Sequence, residues 1–190
     1  MDAHFDDHLE DALSEHRAVE NLAQSLQTLI KSGEAKLPPM VVSALHGELL
    51  GHPLHPILVH LPLGGWMIAG WLDFAPQPNN ADPEGTARAA DLALTLGTLG
   101  AVGTLASGWT DWSTTRAQAR RTGVIHGLLN ETAFILSGTS ILLRRRGHRR
   151  LGKALSGTGL VLALAGGFLG GQLVYRHGLG VYQTMARPQS

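Results

Sequence analysis

Three histidines and three prolines crowd the stretch Gly51-His52-Pro53-Leu54-His55-Pro56-Ile57-Leu58-Val59-His60-Leu61-Pro62, at the entrance to a long apolar run. Histidine is costly in hydrocarbon, so one at the mouth of a membrane helix needs a partner. Three of them so close together point to a ligand site. Neutral imidazole suits haem iron, copper or zinc. His126 opens a later apolar run, with Asn130 one turn on and on the same face, and Glu131 deeper. Asp111 ends another run, and Tyr175 and His177 end the last. Two histidines on facing helices are the minimum for a bis-histidine b-type haem. Zinc or copper wants three or four ligands, which His52, His55, His60 and His126 supply only if bends at Pro53 and Pro56 converge them. The competing reading is structural: the same side chains hydrogen-bond across helix ends and hold a bundle together. His4 and His8, four residues apart with Asp6 and Asp7 between them, read better as a solvated acidic helix end than as a metal site.

The elements that position these residues are read from hydropathy. Charged residues make up 16% of the 190, below the roughly 25% of soluble domains. Four apolar runs follow the histidine motif: Pro56 to Phe74, Ala89 to Thr110, Val124 to Leu143 and Ala154 to Tyr175. Each is about 20 residues, enough to cross a bilayer at about 1.5 Å per residue. Small residues line two of them, Gly97, Ala101, Thr104 and Gly108 on the second and Gly159, Ala163, Gly166 and Gly170 on the fourth. Such stripes let backbones approach closely. Trp71, Trp109 and Trp112 sit at run ends, as interfacial residues do. A soluble bundle is disfavoured because the second and fourth runs lack a polar face.

Before the runs, residues 3 to 31 have the pattern of an amphipathic helix that ends at Ser32-Gly33. Its seam is Phe5, Leu9, Ala12, His16, Val19, Ala23, Leu26 and Ile30. This seam is expected to be buried against a second copy or folded down on the bundle. The organisation is therefore residues 1–36 as an oligomerisation or docking helix, 37–55 as an interfacial segment with the histidine motif, and 56–182 as a four-helix membrane domain. The fold class is all-α, a four-helix transmembrane bundle preceded by an extramembrane amphipathic helix.

Net charge is zero, but the charges are segregated: seven of fifteen acids lie in the first twenty residues, and six of fifteen Lys and Arg lie between Arg144 and Lys153. A connector this short and cationic is expected to stay cytoplasmic, which places both termini outside. One external face then collects the histidine-bearing helix ends, with His148 alone on the other side. The chain has no cysteine, which excludes disulfides, iron–sulfur ligation and covalently attached haem. The acidic N-terminus lacks an apolar h-region, so no cleavable signal peptide is expected. No hydrolytic nucleophile–base pair, phosphate loop or dinucleotide fingerprint is present. Nucleic acid is not an expected partner.

The histidine motif resembles the opening of the bacterial membrane proteins grouped as domain of unknown function 2231. The similarity continues at Ser107-Gly108-Trp109-Thr110-Asp111, at His126, and at Gly170-Gly171-Gln172-Leu173-Val174-Tyr175-Arg176-His177-Gly178-Leu179-Gly180-Val181. It covers roughly residues 48 to 182; the helix before residue 40 has no counterpart in it. The resemblance implies a four-helix bacterial membrane domain without an assigned activity. Relatives of this kind are joined to Rieske or cytochrome c-like domains, which hints at electron-transfer partners.

Together these readings anticipate a multi-pass protein of the bacterial inner membrane that carries haem b near its external face for electron transfer. His60 and His126 are the expected axial ligands, with His55 and His177 as substitutes and Asp111, Asn130 and Tyr175 as orienting partners. The alternative is a non-redox assembly or interaction subunit whose histidines are structural or bind zinc or copper.

Overall fold

The computed structural model describes residues 17–79 and 82–180. The seam positions Phe5, Leu9, Ala12 and His16 and the pair His4 and His8 lie outside the described residues. Among the described residues every regular element is helical: α1 (Arg17–Glu34), α2 (Pro39–Leu45), a 3-10 turn (Glu48–Leu50), α3 (Leu54–Leu58), α4 (His60–Phe74), α5 (Pro83–Ser113), α6 (Ala117–Arg145) and α7 (Arg149–Tyr175). The apolar runs all lie within α3–α7. Helices α5, α6 and α7 begin before their runs, because helical propensity continues past the point where hydrophobicity stops. Helix α1 runs through Ser32-Gly33 to Glu34, where the glycine was expected to stop it. Glu34 is held there by a bond from Ser113 Oγ, 3.4 Å away.

Among the described residues three segments are long and apolar enough to cross a membrane: Leu54–Phe74, Pro83–Ser113 and Arg149–Tyr175. Their burial pattern is inverted relative to a soluble helix. On α5 the exposed side chains include Leu92, Leu96, Leu99 and Val102, whereas Ala90, Thr98, Ala101, Thr104 and Ser107 are buried. Large apolar groups outside and small or hydroxylated groups inside suit a helix that is solvated by lipid and packs through its small face.

The chain divides into two compact units. Among the described residues, one comprises 17–54, 106–128 and 166–180. Its apolar core is Ala23, Trp112 and Val124, with Val19, Leu26, Ile30, Trp109 and Ile125 packed against it. The described part of the α1 seam is thus covered by its own chain and supplies no argument for a second copy. Polar bonds fix the dock. Gln27 donates from Nε2 to the carbonyls of Trp112 and Thr115 at 3.1 and 3.0 Å, and Glu20 pairs with Arg120 and Arg121. The amide of Gln24, bonded to Glu20 at 2.8 Å, holds that carboxyl below its ordinary range, assisted by the two arginines and opposed by burial.

The other unit comprises His55–Leu105 and Leu129–Ala165. Trp66, Ala69, Leu94, Ala101, Ala133 and Ala163 form its core. Trp66 donates from Nε1 to the buried Thr98 hydroxyl at 3.1 Å. Helices α4 and α5 touch backbone to backbone at Gly65 and Gly97: a Cβ at Gly65 would lie 2.7 Å from the Gly97 Cα. This is the close approach anticipated from the small-residue stripe.

Candidate functional site

In the first unit the histidine motif is set up by a tight loop. Gly47 and Gly51 adopt left-handed backbone at φ 73° and 70° on either side of the 3-10 turn. A Cβ at Gly47 would collide with the His52 carbonyl and come within 2.6 Å of the Leu54 nitrogen. Only glycine allows this return. His46 caps the end of α2 immediately before the loop. Its Nδ1 lies 2.9 Å from Asp111 Oδ1 at the end of α5, with the two side chains 24% and 14% exposed. The expectation for Asp111 is an orienting role beside a ligand histidine; its partner in the structure is His46, which the motif does not single out. The partners are 65 residues apart, so no local spacing could reveal them. Beside the pair, Trp109 and Trp112 meet edge to face at 5.1 Å between ring centres. Gly127 and Gly123 of α6 accommodate these indoles.

His126 lies in the same unit. Its Nδ1 is 2.7 Å from the Gly166 carbonyl oxygen of α7. Its ring rests on Gly170, where a Cβ would stand 2.9 Å from the imidazole Cε1. Two glycines of the α7 stripe, one turn apart, thus make the seat for this imidazole. His177, just past α7, is half-buried; Tyr175 is 90% exposed. An exposed phenol at a helix end suits an interfacial position.

The remaining site residues belong to the second unit. His55 is half-buried, with Nδ1 2.9 Å from the Thr104 carbonyl oxygen of α5. His60 is exposed, with Nδ1 3.1 Å from the Ile57 carbonyl oxygen in its own segment. Asn130 and Glu131 are half-buried on α6. Among the described residues no three His, Asp or Glu side chains gather as a metal-holding group.

The second unit also holds a charged centre that the sequence reading passed over. Arg144 and Asp73, each with a side chain only 2% exposed, are ion-paired. Arg144 further reaches Asp91 Oδ1 at 2.9 Å, Ser140 Oγ at 3.0 Å and Ser156 Oγ at 2.8 Å. Arg149 pairs with Asp91 at 2.8 Å, and Lys153 Nζ lies 3.6 Å from Asp73. From the sequence the connector is expected only to stay cytoplasmic, with no ion pair assigned to it. The available signal was a lone aspartate near the end of the first run and another at the start of the second, on the membrane side assigned to the connector.

The family model described as a predicted membrane protein, DUF2231, matches residues 51–183. No curated protein and no solved structure matches the chain.

Proposed function

The chain belongs to the DUF2231 family of predicted membrane proteins, and from that premise we propose that it is a multi-pass redox module of the bacterial inner membrane that carries a b-type haem through membrane histidines. The observation that carries the reading is the orientation of His126. A ring that donates from Nδ1 to a main-chain carbonyl is the tautomer whose lone pair is on Nε2, the form in which histidine ligates a metal. His55 is held by a carbonyl in the same manner. His60 is exposed and bonded only within its own turn, so His126 and His55 receive more support than His60. A haem asks for at most two protein ligands, whereas zinc or copper asks for three or four. When bound, haem supplies one-electron transfer; a Rieske or cytochrome c-type protein is the partner class suggested by resemblance.

The proposed topology has four spans. Helix α6 is the fourth. Its hydroxyl and ionisable residues dilute its hydropathy, yet Leu128, Ile135 and Leu142 are its exposed large apolar side chains, and Ser137 and Ser140 are buried. That is the inverted pattern of α5. The Arg144–Lys153 connector is cytoplasmic and both termini are external. The chain has no cysteine, so a single His148→Cys reports on this loop cleanly. It should react with a membrane-impermeant maleimide only after the cells are opened; labelling in intact cells reverses the topology.

A second reading has its own support. The seat at Gly166 and Gly170 makes His126 a brace between α6 and α7, as in a non-redox assembly subunit. One spectrum separates the two. The protein purified from membranes is expected to show a Soret band and sharp reduced α and β bands. His126→Ala should abolish them, since a b-type haem has no covalent link, and His148→Ala should leave them unchanged. A well-folded protein that stays colourless with added haem excludes the redox reading and leaves the brace.

A further inference from the structure

The six cations between Arg144 and Lys153 divide into two sets. Arg144, Arg149 and Lys153 point into the second unit and share Asp73 and Asp91. Arg145, Arg146 and Arg150 are exposed, and among the described residues none of their guanidinium groups makes a hydrogen bond or ion pair. At the start of α5, Asp82 and Glu84 face Arg88 at 3.7 and 3.3 Å.

The position of this outer set on its helices narrows the partner. Arg145 and Arg146 follow exposed Leu142 by three and four residues, so they continue the face on which Leu142 is 55% exposed. Arg150 begins a stripe that runs through exposed Ala154 and Thr158 to Val161, which is 65% exposed. Each helix thus carries an exposed apolar or small-residue face that terminates in unpaired guanidinium. Gly147, at φ 82°, closes α6 as the left-handed residue of a Schellman turn, with His148 N bonded to Leu143 O at 2.9 Å and Gly147 N to Arg144 O at 3.1 Å. The turn brings both helix ends to one short connector.

We propose that Arg145, Arg146 and Arg150 form a docking surface for the phosphate headgroups of anionic phospholipids, whose acyl chains lie along the Leu142 and Val161 stripes. Guanidinium matches phosphate with paired N–H donors, and the arginine stems lie against apolar surface while their heads reach the interface. The proposal rests on the spanning reading of α6 and α7. That reading fails separately, by loss of the protein from the membrane fraction after carbonate washing.

The test uses the full chain purified in neutral detergent, with its melting followed as lipid is added. Dioleoyl phosphatidylglycerol should raise the melting temperature at lower mole fraction than dioleoyl phosphatidylcholine. The R145Q/R146Q/R150Q variant should need at least about tenfold more phosphatidylglycerol for half the shift. The corresponding triple lysine variant should keep most of the preference, and Arg88→Gln should behave as wild type. A glutamine variant that responds like wild type overturns the proposal. So does a shift reproduced by soluble glycerol phosphate, which would indicate a small-anion site. Should the glutamine variant not be recovered, equal response of the wild type to the two lipids overturns it on its own.

Discussion

Replacing Arg144 by methionine is expected to destabilise the protein by about 3–5 kcal/mol, the range for removing one partner of a buried ion pair. The guanidinium holds Asp73 and Asp91 together with Ser140 and Ser156, and these residues lie on α4, α5, α6 and α7. Without it, the Asp73 carboxylate, 2% exposed, keeps only the more distant Arg149 at 3.5 Å and Lys153 at 3.6 Å. The loss should exceed that of Arg149→Met, because Arg149 is 33% exposed and water compensates part of what is removed. Unfolding in mixed dodecyl maltoside and dodecyl sulfate micelles measures the ranking. The double variant D73N/R144M should cost less than the sum of the single changes, because each single change leaves the other partner buried and uncompensated. Additive costs, or an Arg144→Met protein as stable as wild type, would contradict the network.

Gly65→Ala is expected to cost about 1–3 kcal/mol, in the range of overpacking a filled interior, while Gly64→Ala one residue away costs nothing measurable. The added methyl at Gly65 meets backbone on every side: the Ala93 oxygen at 2.7 Å, the Gly97 Cα at 2.7 Å and the Gly97 nitrogen at 2.8 Å. Backbone cannot rotate away as a side chain can, so α4 and α5 must separate. Separation loosens the contact around Trp66, whose bond to Thr98 crosses between the same helices. At Gly64 nothing lies within 4 Å of the added carbon, and alanine favours helix over glycine by up to about 1 kcal/mol. Melting of both variants in one detergent provides the comparison. Equal melting temperatures would mean the helices do not meet at Gly65.

The limits of local pattern show in α6. Its helicity was legible as the run Val124 to Leu143, though the helix itself extends from Ala117 to Arg145, and its mean hydropathy leaves it outside the three segments apolar enough to span by composition. Which side of it faces outward is carried by Leu128, Ile135 and Leu142, and averaging over the helix hides that arrangement. The described seam of α1 was legible to the residue, since Val19, Ala23, Leu26 and Ile30 all pack inward. Whether a second chain or its own chain would cover it was not. That choice depends on Trp112 and Val124 reaching the seam, and on Gln27 and Glu20 finding polar partners about a hundred residues away.

The sequence by itself determined the membrane class, the helical runs, the small-residue stripes, the absence of thiol chemistry and the segregation of charge. These depend on composition and short periods, and local physics ties both to environment. Tertiary structure alone decided which polar group answers which. It gave Asp111 to His46, seated His126 on Gly166 and Gly170, and divided the cationic connector into a half paired with Asp73 and Asp91 and an exposed half. The reason is physical: a buried polar group must find a partner wherever the packed helices bring one, and that partner's distance along the chain carries no energetic signature.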